Sequence, residues 1–490
     1  PDFSLNFIHN VWFAFLRPIT TEKRKIYILV VYTLYITMSF IRKIKTKSGT
    51  YLAEVEGYRQ DGKVKQKVIK YLGKEIDGHP VKKVFANKIQ VQSVKQNMDI
   101  LVVDKVAQEL GIKELNNPYI ISLIYSQLLE NKSINKLENW MKYTEIPHLL
   151  GLDKISVKNL YESLSEVNKE NFEKVNDHMF STFNNYEDIS KAAIIDVTDT
   201  YFAGSKINIK RRKGKDGKIS KLIQIGLAVS FENGFPLFHK QYHGNLSGMN
   251  IYKDMSLELS QKGISSMIMD RGMLSKENID MALELKFKII AGLKKNPSLA
   301  RDFIRPIKRN DIYSAKCRVP LKKTTVFIKE FDYMGGKLIV IYNPELEIVK
   351  KELNFEKEVE SNFDIGYSFI YHNTKYSSKD VVKRYYDKDM VERAFKQLKG
   401  VLSLRPIRVW LSNNITGHIK ICYLAYAILS LMNYKLKKID ISAVEALESL
   451  KYGYKVTLKD LTSNHEWSTH VPLEPKQKKI LEKLDVVYKK

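Results

Sequence analysis

The chain has 490 residues, 44% of them apolar, enough to bury more than one core, so it need not be disordered. Lysine plus arginine outnumber aspartate plus glutamate by 81 to 55, and the net charge of +26 is spread along the sequence instead of sitting in one tail. Such a field draws polyanions, nucleic acid first. The two cysteines, Cys317 and Cys422, lie far apart, which argues against a disulfide framework or a cysteine zinc site and suits a reducing cytoplasm.

The apolar run Ile26–Ile41 is shorter than the roughly 20 residues that span a bilayer, and no small-residue cleavage pattern follows it. Residues 1–37 are therefore expected to be upstream or disordered sequence, with Met38 as a natural start and no membrane partner. Residues 38–90 alternate apolar and polar positions on both sides of Asp61-Gly62, the pattern of a small β region with a basic face. From 91 to 190 the spacing turns helical, as in Ile120, Leu123, Ile124 and Leu128, and this stretch is expected to be a helical DNA-binding domain. No segment in it has the spacing of a helix-turn-helix.

Residues 191–300 change texture again. Ala192–Val197 looks like a buried strand with Asp196 in its interior, where a carboxylate is costly unless paired or metal-bound. Asp199, three residues on, lacks that apolar setting. The basic loop Lys210–Lys218, with Arg211 and Arg212, suits either a solvated hairpin tip or a phosphate contact. A second apolar strand, Ile264–Met269, runs into Asp270-Arg271-Gly272, Ser275 caps a helix, and Phe287–Ala291 returns as a strand. Asp270 thus stands at the C-terminal end of a strand, where α/β sheets place ligands. Residues 301–372 read as a β-strand insertion.

The segment Ser377–Gly400 reads as one helix with Ser377 as its cap and Gly400 as its stop. At 100° per residue, Tyr385, Lys388 and Lys399 lie within about 40° of Glu392. An acid that holds a cation, beside groups that hold a nucleic-acid strand, suits a metal-plus-phosphate site; a solvated, salt-bridged face is the alternative. Arg271, Arg405 and Arg408 are further candidate phosphate contacts, while His418 before the apolar run Ile419–Leu431 is expected to pack rather than react.

The spacing Tyr385, Lys388, Glu392, Lys399 resembles the Y-R-E-K signature of bacterial insertion-sequence DDE transposases of the IS-four superfamily. Asp196-Val-Thr198 resembles the first acidic motif of that family and Asp270-Arg-Gly-Met273 the second. Glu392–Lys399, with Leu404–Ile407 and Gly417-His-Ile419, resembles the third. Tyr58–Val64 and Tyr71-Leu-Gly73 look like the opening of one branch. The signature's arginine is Lys388 here, which keeps the charge and loses the fork.

The resemblance implies an α/β protein with an RNase-H-like core (residues 191–300 and 373–440) interrupted by the β insertion; the residues' own helical spacing suggests a helical tail over 441–490. It implies Asp196, Asp270 and Glu392 as catalytic ligands of two Mg²⁺ ions, with Mn²⁺ as a substitute. The implied activity is cleavage of inverted-repeat ends and joining of their 3′-OH groups to target DNA, by a homodimer at the bacterial nucleoid. A related endonuclease or resolvase, or an inactive DNA-binding derivative, would keep the carboxylates or the charge without strand transfer.

Overall fold

The computed structural model describes residues 12–21, 24–33, 39–47, 49–76, 79–81, 88–167, 169–189, 191–202, 211–213, 219–243, 246–356, 363–462 and 464–488. Two compact units emerge, residues 1–92 with 458–467, and residues 93–457 with 468–490. In the first, β1 (Trp12–Thr21) and β2 (Arg24–Thr33) form an antiparallel hairpin. Sequence expected to be upstream or disordered therefore pairs as strands, which the β-branched and aromatic residues of Arg24–Thr33 favour; the rest of 1–37 lies outside the described residues. A four-stranded antiparallel sheet follows from β3 (Ser39–Thr46), β4 (Gly49–Gln60), β5 (Lys63–Ile76) and β6 (His79–Val81). Among its described side chains, Leu52, Ala53 and Val55 are buried.

After β7 (Ile89–Gln96) come six helices: α1 (Met98–Glu109), α2 (Pro118–Leu129), α3 (Ile134–Met141), α4 (Ile146–Leu150), α5 (Val157–Ser165) and α6 (Lys169–Asn184). Their starts are written locally. Asn117 accepts from the Tyr119 and Ile120 amides ahead of Pro118, and Ser156 accepts from the Asn159 amide.

The second unit is organised by one ten-stranded sheet. Its strands are β8 (Ala193–Tyr201), β9 (Arg211–Lys213), β10 (Ile219–Ser230), β11 (Pro236–His243), β12 (Ser266–Met269), β13 (Lys288–Leu293), β14 (Arg318–Pro320), β15 (Thr325–Tyr333), β16 (Gly336–Tyr342) and β17 (Tyr367–His372). The spatial order is β11-β10-β8-β12-β13-β17-β16-β15-β14, with β9 on β10. The first three are antiparallel neighbours, whereas β8, β12 and β13 run parallel. The parallel crossover uses α8 (Lys276–Glu284), started by the Ser275 hydroxyl on the Asn278 amide. Before it, α7 (Gly248–Gln261) links β11 to β12.

The strands after β13 do not make a separate body. β17 pairs antiparallel with β13, and β16, β15 and β14 extend the same sheet outward. The stretch also holds the turns α9 (Pro297–Leu299) and α10 (Arg309–Ile312) and a 13-residue helix, α11 (Pro344–Glu356), which strand alternation alone does not show.

Residues 377–400 form two helices instead of one: α12 (Ser378–Tyr386) and α13 (Asp389–Lys399). The backbone flattens at Asp387 and Lys388, both with ψ of 5°. No glycine or proline marks the break. Its cause is tertiary, since α12 packs on β13 and β15 while α13 packs on β8 and β10.

Behind the sheet lies α14 (Ser412–Leu436), whose residues Ile421–Met432 are all buried. A helix apolar all round belongs in a core, where each fully buried Leu or Ile contributes about 1.5–3 kcal/mol. Ser412–Ile439 is, among the described residues, long and apolar enough to cross a membrane, yet 83% of its apolar window is buried inside the protein. Gly417 lets α14 approach α5, because a Cβ there would sit 2.0 Å from the Leu164 carbonyl oxygen. The chain closes with α15 (Ala443–Leu450), β18 (Tyr454–Asp460), β19 (Glu466–His470) and α16 (Pro475–Lys483).

Candidate active site

Three neighbouring parallel strands bring the acidic positions together. Ile195 on β8 pairs with Met269 on β12, and Met269 pairs with Ala291 on β13. The next residue of each strand gives the row Asp196, Asp270, Gly292. Two carboxylates thus stand side by side, Asp196 inside β8 and Asp270 just past the end of β12, placed by register alone. Asp199 falls on the opposite face of β8 from Asp196.

The two aspartates are differently furnished. Asp196 turns one carboxylate oxygen back to the Val197 amide, at 2.7 Å. Asp270 Oδ1 accepts three hydrogen bonds: from the Arg271 amide at 2.9 Å, the Lys388 ammonium at 2.8 Å and the Tyr385 hydroxyl at 3.2 Å. Burial alone would raise its pKa, but the Lys388 charge and these bonds outweigh it and hold the carboxyl below its ordinary value. The Tyr385 phenol is pushed up, first by burial and then by the Asp270 charge. Lys388 Nζ also stands 4.2 Å from the centroid of the Tyr385 ring, a cation–π contact.

Gly292 makes that arrangement possible. A Cβ on it would lie 2.3 Å from the Tyr385 hydroxyl oxygen and 2.9 Å from Arg271 Cβ. Sequence reasoning missed this residue; the available signal was a glycine inside an apolar strand, which marks a close approach.

Glu392 is exposed on α13 and shares a cleft of about 490 Å³ with Asp196, Thr198, Phe395, Lys396, Lys399 and Arg405. Val391, Ala394, Phe395 and Leu398 are buried and form the apolar stripe that seats α13. Lys399 Nζ is 5.3 Å from the Phe395 ring centroid and the Arg405 guanidinium 5.9 Å from that of Tyr201. The loop carrying Arg405 is tied down at several points. Thr200 Oγ1 donates to the Leu404 carbonyl, the Ile407 amide to the Tyr201 carbonyl, and Gln127 of α2 and Asn131 just beyond it to the carbonyls of Leu402 and Val401.

The break between α12 and α13 divides the residues expected on one helix face. Tyr385 and Lys388 serve Asp270, while Glu392 and Lys399 serve the cleft at Asp196. Among the described residues no three His, Cys, Asp or Glu side chains form a grouping ready to hold a metal. The donor set itself, carboxylate oxygens, is of the hard kind that suits Mg²⁺. Arg271, Arg408 and Arg211 are exposed; the Arg212 side chain, with residues 203–210 and 214–218, lies outside the described residues. His418 is packed beside the Cys422 thiol at 3.7 Å, and burial pushes its pKa to about 4, so it stands neutral.

Residues 189–428 match the family described as Transposase DDE domain, and residues 41–80 match the N-terminal domain of the IS1634 family transposases. A search of curated proteins gave no match. Among solved structures, a cryo-EM piggyBac transposase synaptic complex with hairpin DNA is 13% identical, with a TM-score of 0.39, over 72% of this chain and 77% of that one. Residues 189–428 are thus similar to a transposase DDE domain and residues 41–80, earlier in the chain, to an IS1634-type N-terminal domain, which together support an insertion-sequence DDE transposase.

Proposed function

We propose that this protein binds the inverted-repeat ends of its insertion sequence as duplex DNA, cleaves them by metal-dependent hydrolysis and joins the resulting 3′-OH ends to target DNA. The observation that carries the reading is the in-register pair Asp196, inside β8, and Asp270, just past β12, with the helix bearing Glu392 packed on β8. The strand order β11-β10-β8-β12-β13 supports an RNase-H-like core for residues 191–300 and 373–440. Asp196, Asp270 and Glu392 would hold two Mg²⁺ ions, or Mn²⁺ in their place. Such ions activate a water or 3′-hydroxyl nucleophile and stabilise the leaving oxygen.

The chain's own residues do the rest. Tyr385 and Lys388 fix the direction of the Asp270 carboxylate, so that its second oxygen is free of the contacts made by Oδ1. Lys396, Lys399 and Arg405 surround the cleft with positive charge where a scissile phosphate would lie, and Arg271 and Arg408 extend that charge outward. Two copies, each on one end, would let both 3′-OH ends reach one target.

Asp196→Ala tests the reading in a plasmid assay that scores cleavage and strand joining separately. Both products should fall at least about a hundredfold, the scale on which removing one charge-stabilising group acts, while the thermal midpoint stays near the wild-type value. Activity unchanged by the substitution overturns the reading. Wild-type protein that cleaves but never joins would make it an endonuclease.

A further inference from the structure

We propose that the distal half of the β4–β5 hairpin is a DNA-docking ribbon that enters the major groove of duplex DNA. The inference rests on the transposase reading for the identity of the polyanion and on the ribbon itself for the place and manner of contact.

β4 and β5 pair from Tyr51 opposite Lys74 to Gln60 opposite Lys63, and turn through Asp61 (φ 52°) and Gly62 (φ 73°). Two consecutive positive φ values are the mark of a type I′ turn, which keeps the strands closely paired to the tip. Every residue from Tyr58 to Tyr71 is exposed, on both faces of the ribbon. That stretch holds five cations, Arg59, Lys63, Lys65, Lys67 and Lys70, against one acid, Asp61 in the turn. Among the described residues none of the five is ion-paired; Lys65 donates only to Gln60, at 3.0 Å.

The charge is also ordered. Lys63, Lys65 and Lys67 occupy alternate positions on one face, spaced about 6.8 Å apart. Cross-strand register puts Gln60 and Tyr58 on that face too, opposite Lys63 and Lys65. Glu56 and Glu54 lie opposite Lys67 and Lys70, so the base of the ribbon is balanced and the excess charge is at the tip. Apolar groups share the exposure: Val64 at 69%, Ile69 at 52% and Tyr71 at 60%. Beyond Glu56, where β3 no longer flanks β4, only two strands remain, and a two-stranded ribbon in water is marginal unless something covers it. Cations select a polyanion, and the major groove, about 12 Å wide, admits a two-stranded ribbon, with apolar side chains meeting thymine methyls.

The test uses the full chain and a fluorescein-labelled 30-base-pair duplex of random sequence, titrated by anisotropy at several KCl concentrations without divalent ions. The triple variant Lys63→Gln, Lys65→Gln, Lys67→Gln should weaken binding and lower the slope of log K against log salt by roughly 2–3, since each lost phosphate contact removes about 0.9. A charge-matched control, Lys276→Gln, Lys478→Gln, Lys479→Gln, should lower it by less than about 1. A ribbon variant that keeps the wild-type slope, or drops no further than the control, overturns the ribbon while leaving the transposase reading intact. Equal loss on a single-stranded probe also overturns the groove assignment. Wild-type protein that neither binds the duplex nor joins strands overturns both proposals.

Discussion

The strand-borne carboxylates and the helix-borne one reach their places by different physics. Asp196 and Asp270 are fixed by hydrogen-bonded register between parallel strands with both faces covered, so their spacing is set by the ladder. Glu392 is exposed, and only the apolar stripe of α13 fixes it. The lesson is that the first pair should resist changes in packing nearby, whereas the third member should move whenever its helix loosens.

Phe395→Ala should break the helix-borne half most severely. Its side chain is 4% exposed and lines the cleft beside Glu392. Truncating a buried phenylalanine costs about 3–5 kcal/mol, and here α13 would lose the contact that seats it. The expected outcome is a lower urea midpoint together with a large loss of DNA cleavage. If stability falls by that much and cleavage does not, Glu392 is not placed by helix packing.

Gly292→Ala probes the strand-borne half and should act the other way round. The added methyl would meet the Tyr385 hydroxyl at 2.3 Å and must push it off Asp270. Overpacking of this kind costs typically 1–3 kcal/mol, less than the Phe395 truncation, because Tyr385 sits at the end of α12 and can swing outward. Cleavage should fall, and Tyr385→Phe in the same background should add little further loss, since the hydroxyl contact is already gone. Fully additive losses from the two substitutions would show that Gly292 does not act through Tyr385.

How far the sequence announces this site follows the same division. Buried parallel strands are continuous apolar runs, so Ala193–Val197 and Ser266–Met269 are legible, and an acid inside or just after such a run stands out. The two-strand pairing of the N-terminal region is legible because Asp61-Gly62 is itself a turn signal. The break at Asp387–Lys388 is not, because angular spacing locates residues around a helix axis and says nothing of where the axis bends. Neither is the slot at Gly292, whose purpose depends on a tyrosine 93 positions away in sequence. The helix α11 is hidden for a related reason: it lies on the surface, and exposed Leu346, Ile348, Val349 and Leu353 blur its apolar period.

The smallest expected effect concerns Lys388 and pH. In the folded protein the Asp270 carboxyl is held below its ordinary value: burial acts to raise it, and the Lys388 charge and hydrogen bonds outweigh that. A group whose folded pKa is lowered adds stability above its unfolded value, about 3.9 for aspartate, and loses it as pH falls through the folded value. Lys388→Ala should therefore be less stable than wild type at pH 7, with the gap closing as the pH drops below about 4. The gap should be under about 1 kcal/mol, because the Asp270 side chain is 54% exposed and water screens the pair. Urea midpoints for the two proteins between pH 3 and pH 7 would read it. A gap that is constant over that range would mean that Lys388 contributes through its contact with the Tyr385 ring and not through the Asp270 charge, and would leave the tyrosine as the group that orients the strand-borne carboxylate.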